Sequence, residues 1–361
     1  MDQEVLSALI GTAAGVVLAI ISSLVIPLVL KRQEKVEQRR GVHEKYAQPL
    51  AADAVNLLWR LDEILFKGRA QYLGENAPKT PFNIYKRVST CYRIAAVLGW
   101  VRAIELEQSY LFFGEDASVE DLRAAVADLK SALADSPHVE AHVLRGLAEA
   151  WGIPLPADHA TVARAAACGN AEMQHVLADF GLIHYRELLR LDEARQMEVA
   201  RRMSAAVTAA IGRPPVDQEV LQATRARALA HMSVKQAWIY RDWQQAIGTL
   251  MIRSVDDAAR RFDVLDYGTF ERLFFDEQSA EKPWMERLEA VVIGIDPADP
   301  DPADFRVVQL RAVGRALAAL ICAIERLDLE RRILDAKACA LARRLLAEIP
   351  PPDVAAALTD A

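Results

Sequence analysis

The stretch Leu310-Arg311-Ala312-Val313-Gly314-Arg315-Ala316-Leu317-Ala318-Ala319-Leu320-Ile321-Cys322-Ala323-Ile324-Glu325-Arg326-Leu327 decides the fold class. Leu310, Val313, Leu317, Leu320, Ile324 and Leu327 recur at alternating steps of three and four. That spacing puts them on one face of an α-helix. After Arg331 the stripe resumes with Leu334, Ala338, Leu341 and Leu345 and stops at Ile349, before Pro350, Pro351 and Pro352. Read as one long helix, it carries about five heptads. An intramolecular bundle seam and a coiled-coil dimer use the same spacing. We favour the bundle, because the rest of the chain supplies partner helices.

Working outward, the same periodicity runs through the body. Pro49 is expected to interrupt any helix arriving from the N-terminus. Beyond it Val55, Leu58, Leu61, Ile64 and Leu65 fall on a helical face. Thr80 reads as an N-cap with Pro81 at the first helical position, opening a helix over about 82–113 that stops at Gly114. Ser118-Val119-Glu120-Asp121 resembles a capping box, and Ser136-Pro137 opens a further helix to about Gly152. Residues 153–181, broken by Pro154, Pro156, Gly169 and Gly181, read as short helical pieces. Long helices are expected over 182–211 and 217–252, and short ones near 256–263, 268–277 and 281–293. No period-2 strand stands out, so the expectation is an all-α protein.

The N-terminus carries a different signal. Between Leu6 and Leu30 there is no charged residue. At ~1.5 Å per residue this reaches ~37 Å, against ~30 Å of bilayer hydrocarbon. Asp2 and Glu4 precede it, where a cleaved signal peptide would be basic. We read an uncleaved transmembrane anchor over 1–30. Lys31, Arg32, Lys35, Arg39 and Arg40 follow it, so the N-terminus is expected outside and the body in the cytosol of the inner membrane. This basic segment, 31–48, could also rest on anionic headgroups. Within the span Ser7, Gly11, Gly15, Ala19 and Ser23 form a stripe of small side chains, and Gly11 with Gly15 makes a GxxxG pair suited to self-association.

Composition excludes several classes. With 361 residues, 52% hydrophobic and 26% charged, the chain is globular rather than disordered. Cys91, Cys168, Cys322 and Cys339 are far apart and form neither a disulfide scaffold nor a Cys-rich zinc module. A net charge of −7 argues against nucleic-acid binding.

Catalytic signatures are absent, and no catalytic residue, metal or cofactor is expected. His138 and His142 share a helix face at zinc-ligand spacing, but Glu140 between them does not make HExxH, and we read a solvated pair. Asp296, Asp299, Asp301 and Asp304 lack EF-hand spacing and its glycine. They read better as local caps, with Asp301 capping the C-terminal helix and Asp304 in its first turn. Arg186, Arg190, Arg195, Arg201 and Arg202 are interleaved with Glu187, Asp192, Glu193 and Glu198, as on a solvated helix face. Two polar-aromatic stretches, with Trp100, Arg102 and Glu105 on one and Arg241, Gln244 and Gln245 on the other, could line a pocket between their helices. They also fit Trp anchors with satisfied polar partners in a core, which we favour.

Tyr46-Ala47-Gln48-Pro49-Leu50, Ser89-Thr90, Leu98-Gly99-Trp100-Val101, Leu111-Phe112-Phe113-Gly114 and Gln244-Gln245-Ala246-Ile247-Gly248-Thr249-Leu250-Met251 carry a resemblance. With the single span and basic juxtamembrane helix, the chain resembles an uncharacterised family of bacterial single-pass membrane proteins over about 40–115 and 238–290. Residues 137–235 show no correspondence. The resemblance implies location and architecture, with no assigned activity. The expected organisation is a first helical subdomain over 49–152, a variable segment over 153–215, a second subdomain over 216–349 and a tail over 350–361. The expected role is a self-associating, membrane-anchored scaffold, sensor or regulator with an unknown protein partner. The alternatives are a tethered enzyme with its site between the Trp100 and Gln244 helices, or an oligomerising membrane effector.

Overall fold

The structure, a computed structural model, describes residues 26–108, 117–134, 137–255, 260–301, 303–327 and 333–350, with side chains in the first helix from Tyr46 onward. The stripe of Ser7, Gly11, Gly15, Ala19 and Ser23 lies outside the described residues, as do Gly114, Arg331 and the side chains of Lys31, Arg32, Lys35, Arg39, Arg40 and His138.

Helix dominates the described residues. The first helix, α1 (Ile26–Phe66), runs straight through Pro49, which corrects the expected break. A proline inside a helix forfeits one backbone hydrogen bond at a cost of about 3 kcal/mol. Here Tyr46, Ala47, Leu50, Ala51 and Ala54 are all buried around it, and burial of that face outweighs the loss. Next come α2 (Pro81–Gln108), α3 (Ala117–Ala134), α4 (Pro137–Trp151), α5 (His159–Phe180), α6 (Glu193–Ala210), α7 (Gln218–Met232) and α8 (Arg241–Met251). After a short hairpin follow α9 (Tyr267–Phe275), α10 (Lys282–Val292), α11 (Phe305–Leu327) and α12 (Ala336–Glu348). Thr80 caps α2 as expected, its hydroxyl accepting from Asn83 N at 3.3 Å.

Several expected boundaries shift. Residues 159–180 form one continuous helix, because Asp158 caps it through Ala160 N and Thr161 N and Gly169 stays helical within it. The segment expected as helix over 182–211 begins as a 3₁₀ turn, Tyr185–Arg190, before Asp192 caps α6. That expected over 217–252 splits into α7 and α8 around an extended passage. Strands exist after all: β1 (Ile252–Ser254) pairs antiparallel with β2 (Phe262–Val264), Arg253 opposite Asp263. Three-residue strands are too short to show alternation. At the start of β2, the Tyr46 hydroxyl accepts from Arg261 N and Phe262 N at 3.2 and 3.3 Å.

The C-terminal stripe is likewise two helices, not one. Asp335 caps α12 by accepting from Ala338 N at 2.7 Å, and α12 folds back along α11. Arg315, early in α11, donates to the carbonyls of Leu346 and Ile349 at the end of α12. The seam faces inward, with Leu310, Leu317, Leu320 and Ile324 fully buried and Leu334 half-buried. Among the described residues α11 is the one helix long and apolar enough to cross a membrane, over Phe305–Arg326. It is the core helix of the bundle, packed by α1, α3 and α12.

Two hydrophobic cores result. The larger joins α1–α3, α8–α12 and the hairpin. The smaller belongs to α4–α7. The helical unit over 137–232 is therefore inserted in sequence within a bundle assembled from both sides of it.

Candidate functional site

The two chain passages linking the units lie side by side. Leaving α3, the chain offers the Leu133 carbonyl; returning from α7, it donates Ile239 N to that oxygen at 2.8 Å. Lys235 N donates to the Ala303 carbonyl and Phe305 N to the Lys235 carbonyl, at 2.7 and 2.9 Å. Two buried glutamines complete this neck. Gln309 Nε2 donates to Leu133 and Ala237 carbonyls, both at 3.1 Å. Gln244 Nε2 donates to those of Lys130 and Ile239, both at 2.7 Å. Asp304, rather than the expected Asp301, caps α11, accepting from Arg306 N at 3.1 Å. The buried Arg306 guanidinium grips Asp304 and also donates to the carbonyls of Ala290 and Ile293 at the end of α10. Asp301 instead pairs with Arg186 of the inserted unit.

Against this neck, inside the inserted unit, is a cavity of about 290 Å³. Leu144, Leu147, Ala165, Met173, Met203 and Val207 form its apolar interior. The run Ala165-Ala166-Ala167-Cys168-Gly169 thins the α5 wall, and a Cβ on Gly169 would point towards Val207 and Met203, 3.5 and 3.8 Å away. Polar groups gather elsewhere on the lining. Asn170 Nδ2 donates to Glu140 Oε1 at 2.7 Å. Gln174 Nε2 donates to the Tyr185 hydroxyl at 2.6 Å. Trp238 Nε1 donates to Gln236 Oε1 at 2.9 Å. Burial is the main cause that pushes the Tyr185 phenol above its ordinary value. Beside the cavity, His142 on α4 packs edge-on against Phe305 of α11, ring centres 5.1 Å apart. Burial, then Arg145 and His231, lower the His142 pKa.

The residues singled out from sequence are divided between two places. Trp100 is buried on the hairpin side, donating Nε1 to Asp53 Oδ2 at 2.7 Å, with the Arg260 guanidinium 5.3 Å over its ring. Burial raises the pKa of Asp53. Arg102, Glu105, Arg241, Gln244 and Gln245 instead share a seam among α2, α3 and α8. Arg102 Nε donates to Thr249 Oγ1 at 3.2 Å, Lys130 Nζ pairs with Glu105 Oε1 at 2.7 Å, and Arg241 Nη2 donates to Ser131 Oγ at 3.0 Å. The seam is tight because α2 and α8 touch through glycines: a Cβ on Gly248 would lie 2.8 Å from the Leu98 carbonyl oxygen. Gln245 opens onto a shallow groove with Asp242, Thr249, Glu281 and Trp284.

Among the described residues no three His, Cys, Asp or Glu side chains are grouped to hold a metal ion. Asp296 and Asp301 accept from nearby backbone amides. Within the arginine stripe Arg201 pairs with Glu198, and Arg202 with Glu172 and Asp179. All four cysteines are free thiols.

Sequence reasoning missed the cavity. Its residues come mostly from α4, α5 and the neck, with a few from α6, α7, the 3₁₀ turn and the end of α3, and together they form no motif. The run of small residues on α5 was the available signal. In comparisons with protein families, curated proteins and solved structures, nothing matches this chain.

Proposed function

We propose that the chain is a membrane-anchored sensor or regulator whose inserted helical unit binds a small ligand and relays its presence to the bundle. The observation that carries this reading is the composition of the cavity wall. Val234, Gln236, Trp238 and Tyr240 of the neck line it together with α4–α6. A ligand there touches the passage that Gln309 and Gln244 tie to the larger core. Preformed cavities that combine apolar walls with convergent polar groups are the usual form of small-molecule sites, and this one sets Glu140, Asn170, Gln174, Tyr185 and Gln236 beside its apolar wall. The uncharged stretch Leu6–Leu30, the basic residues after it and the resemblance to single-pass bacterial membrane proteins support the anchor, with the body in the cytosol. The small-residue stripe supports self-association in the bilayer. A regulated protein partner completes the proposal.

The test uses 4-phenylbutan-1-ol, a neutral probe, on the full chain in detergent. Binding should alter Trp238 fluorescence and slow hydrogen exchange at the amides of Lys235 and Ile239. Gly169→Leu, which fills the interior, should abolish both. Exchange at the neck that is indifferent to bound probe would sink the relay, and fluorescence indifferent to the probe would sink the site.

A further inference from the structure

We propose that the α1–α2 face carries a separate site, independent of the cavity, which binds a phosphate group among Arg60, Lys86 and Arg93. Three polar pairs face each other across these two helices. Arg93 Nη1 donates to the Asn56 carbonyl at 2.8 Å, Arg60 Nη2 to Ser89 Oγ at 3.4 Å and Lys86 Nζ to Glu63 Oε2 at 3.3 Å. Positions 56, 60 and 63 share one face of α1, and 86, 89 and 93 share one face of α2. The pairs ascend one helix as they descend the other, so the ladder is antiparallel and in register.

Charge along this ladder is out of balance. Arg60 and Lys86 are only 4% and 9% exposed, and a buried cation is costly unless it is paired. Both depend on Glu63, which also takes Arg69 Nη1 at 2.8 Å. Arg60 receives the least. Its Nε lies 3.6 Å from Glu63 Oε2 and has no hydrogen-bond partner among the described residues. Burial, then the charge of Arg93, lower its pKa, as expected of a guanidinium short of counter-charge. Arg93 also acts on Asp53, but that carboxylate is held by Trp100 Nε1. Four cations thus share two carboxylates, an excess of two positive charges.

An anion supplies what is missing. A phosphate group carries about −1.5 to −2 at neutral pH and matches the excess, whereas a carboxylate brings a single charge. A guanidinium fork holds two oxygens of one anion at once. Arg60 offers that fork at the floor of the ladder, with the Lys86 ammonium and the Arg93 guanidinium on either side. Tyr85, 44% exposed and among the groups acting on Arg60, adds a hydroxyl at the rim. A cationic ligand meets like charge, and a neutral one leaves the excess in place.

The experiment is calorimetric titration of the full chain in detergent with inorganic phosphate or acetate, at constant ionic strength and about pH 8, where phosphate is doubly charged. Phosphate should bind about tenfold tighter than acetate. Arg60→Met keeps the bulk and removes the charge. It should cut phosphate affinity about tenfold and leave the melting temperature without phosphate unchanged or raised, because an uncompensated buried charge is gone. Arg93→Gln, at the more open end of the ladder, should cut affinity about threefold in a folded protein. Glycerol 3-phosphate and dihexanoyl phosphatidate separate the two sources of the group: equal affinities assign a soluble phosphate ester, and a further gain from the acyl chains assigns a lipid headgroup. Phosphate no tighter than acetate on the wild type overturns the site. So does an Arg60→Met protein that melts earlier yet binds phosphate as the wild type does, which would make the guanidinium structural. If Arg60→Met fails to fold, unchanged phosphate affinity in Arg93→Gln overturns the proposal.

Discussion

The amide of Ile239 donates to the carbonyl of Leu133 at 2.8 Å, although four helices lie between them in sequence. This bond sets the outgoing and returning chain passages side by side, and Gln309 clamps both from α11.

Removing that clamp should loosen the neck more than it destabilises the protein. Gln309→Leu loses two hydrogen bonds of about 1 kcal/mol each. It also removes the buried Oε1, which lacks a hydrogen-bond partner among the described residues, and this offsets part of the loss. The expected cost is about 1–2 kcal/mol in denaturant melts, with faster hydrogen exchange at Ile239. A variant as protected at Ile239 as the wild type would remove Gln309 from the neck.

The seam along α11 makes a larger prediction. Leu317 and Ile324 are fully buried, so Leu317→Ala and Ile324→Ala should each cost ~2–5 kcal/mol. The loss should not depend on protein concentration, because the seam packs within the chain. A drop that vanishes at high concentration would make it an intermolecular contact.

Acid should weaken the inserted unit. Burial is the first cause lowering the pKa values of both His142 and His231. The unfolded chain, with imidazoles near ~6.5, therefore binds protons more readily than the folded one. The contribution of neutral histidine is complete above the unfolded value and is lost as pH falls towards the folded values. Melting temperatures should fall between about pH 7 and 5, and less in a His142→Gln, His231→Gln double variant. Equal slopes would assign the acid sensitivity to other groups.

Topology and self-association have their own measurements. Alkaline phosphatase, active only outside the cytoplasm, should be inactive when fused after residue 60, given the basic residues from Lys31 to Arg40. High activity reverses the orientation. Replacing Gly11 and Gly15 with Ile should cost helix association of order 1–2 kcal/mol, and crosslinked oligomers should diminish in membranes. Unchanged crosslinking would dismiss the stripe as the interface.

The helical class was legible because burial imposes a period. Leu310, Leu317 and Ile324 face one core, all three fully buried. Asp335 was passed over for the opposite reason. One capping side chain, interrupting a stripe that resumes in phase, looks like a surface residue until its bond to Ala338 N is seen. Pro49 misled because an intrinsic penalty of about 3 kcal/mol is visible locally while the burial that outweighs it is not. The site was the least legible part. Trp100 and Gln244 look alike as polar-aromatic signals, yet one anchors to Asp53 and the other to the neck carbonyls of Lys130 and Ile239. Glu140 and Tyr185 come to line one cavity only through tertiary packing, and nothing in either neighbourhood announces it.

The neck also has a consequence expected during synthesis. The larger core is discontinuous: α1–α3 leave the ribosome early, whereas α11 and α12 follow only after the whole of 137–232. Held apart by a disordered intervening chain, the two halves would bear the closure entropy of a long loop. Once α4–α7 have packed, their adjoining ends present Leu133 and Ile239 to each other, and the effective loop shrinks to a short link. On this argument the inserted unit is expected to template the bundle, and damage to its core should be felt as misassembly of a bundle it does not belong to.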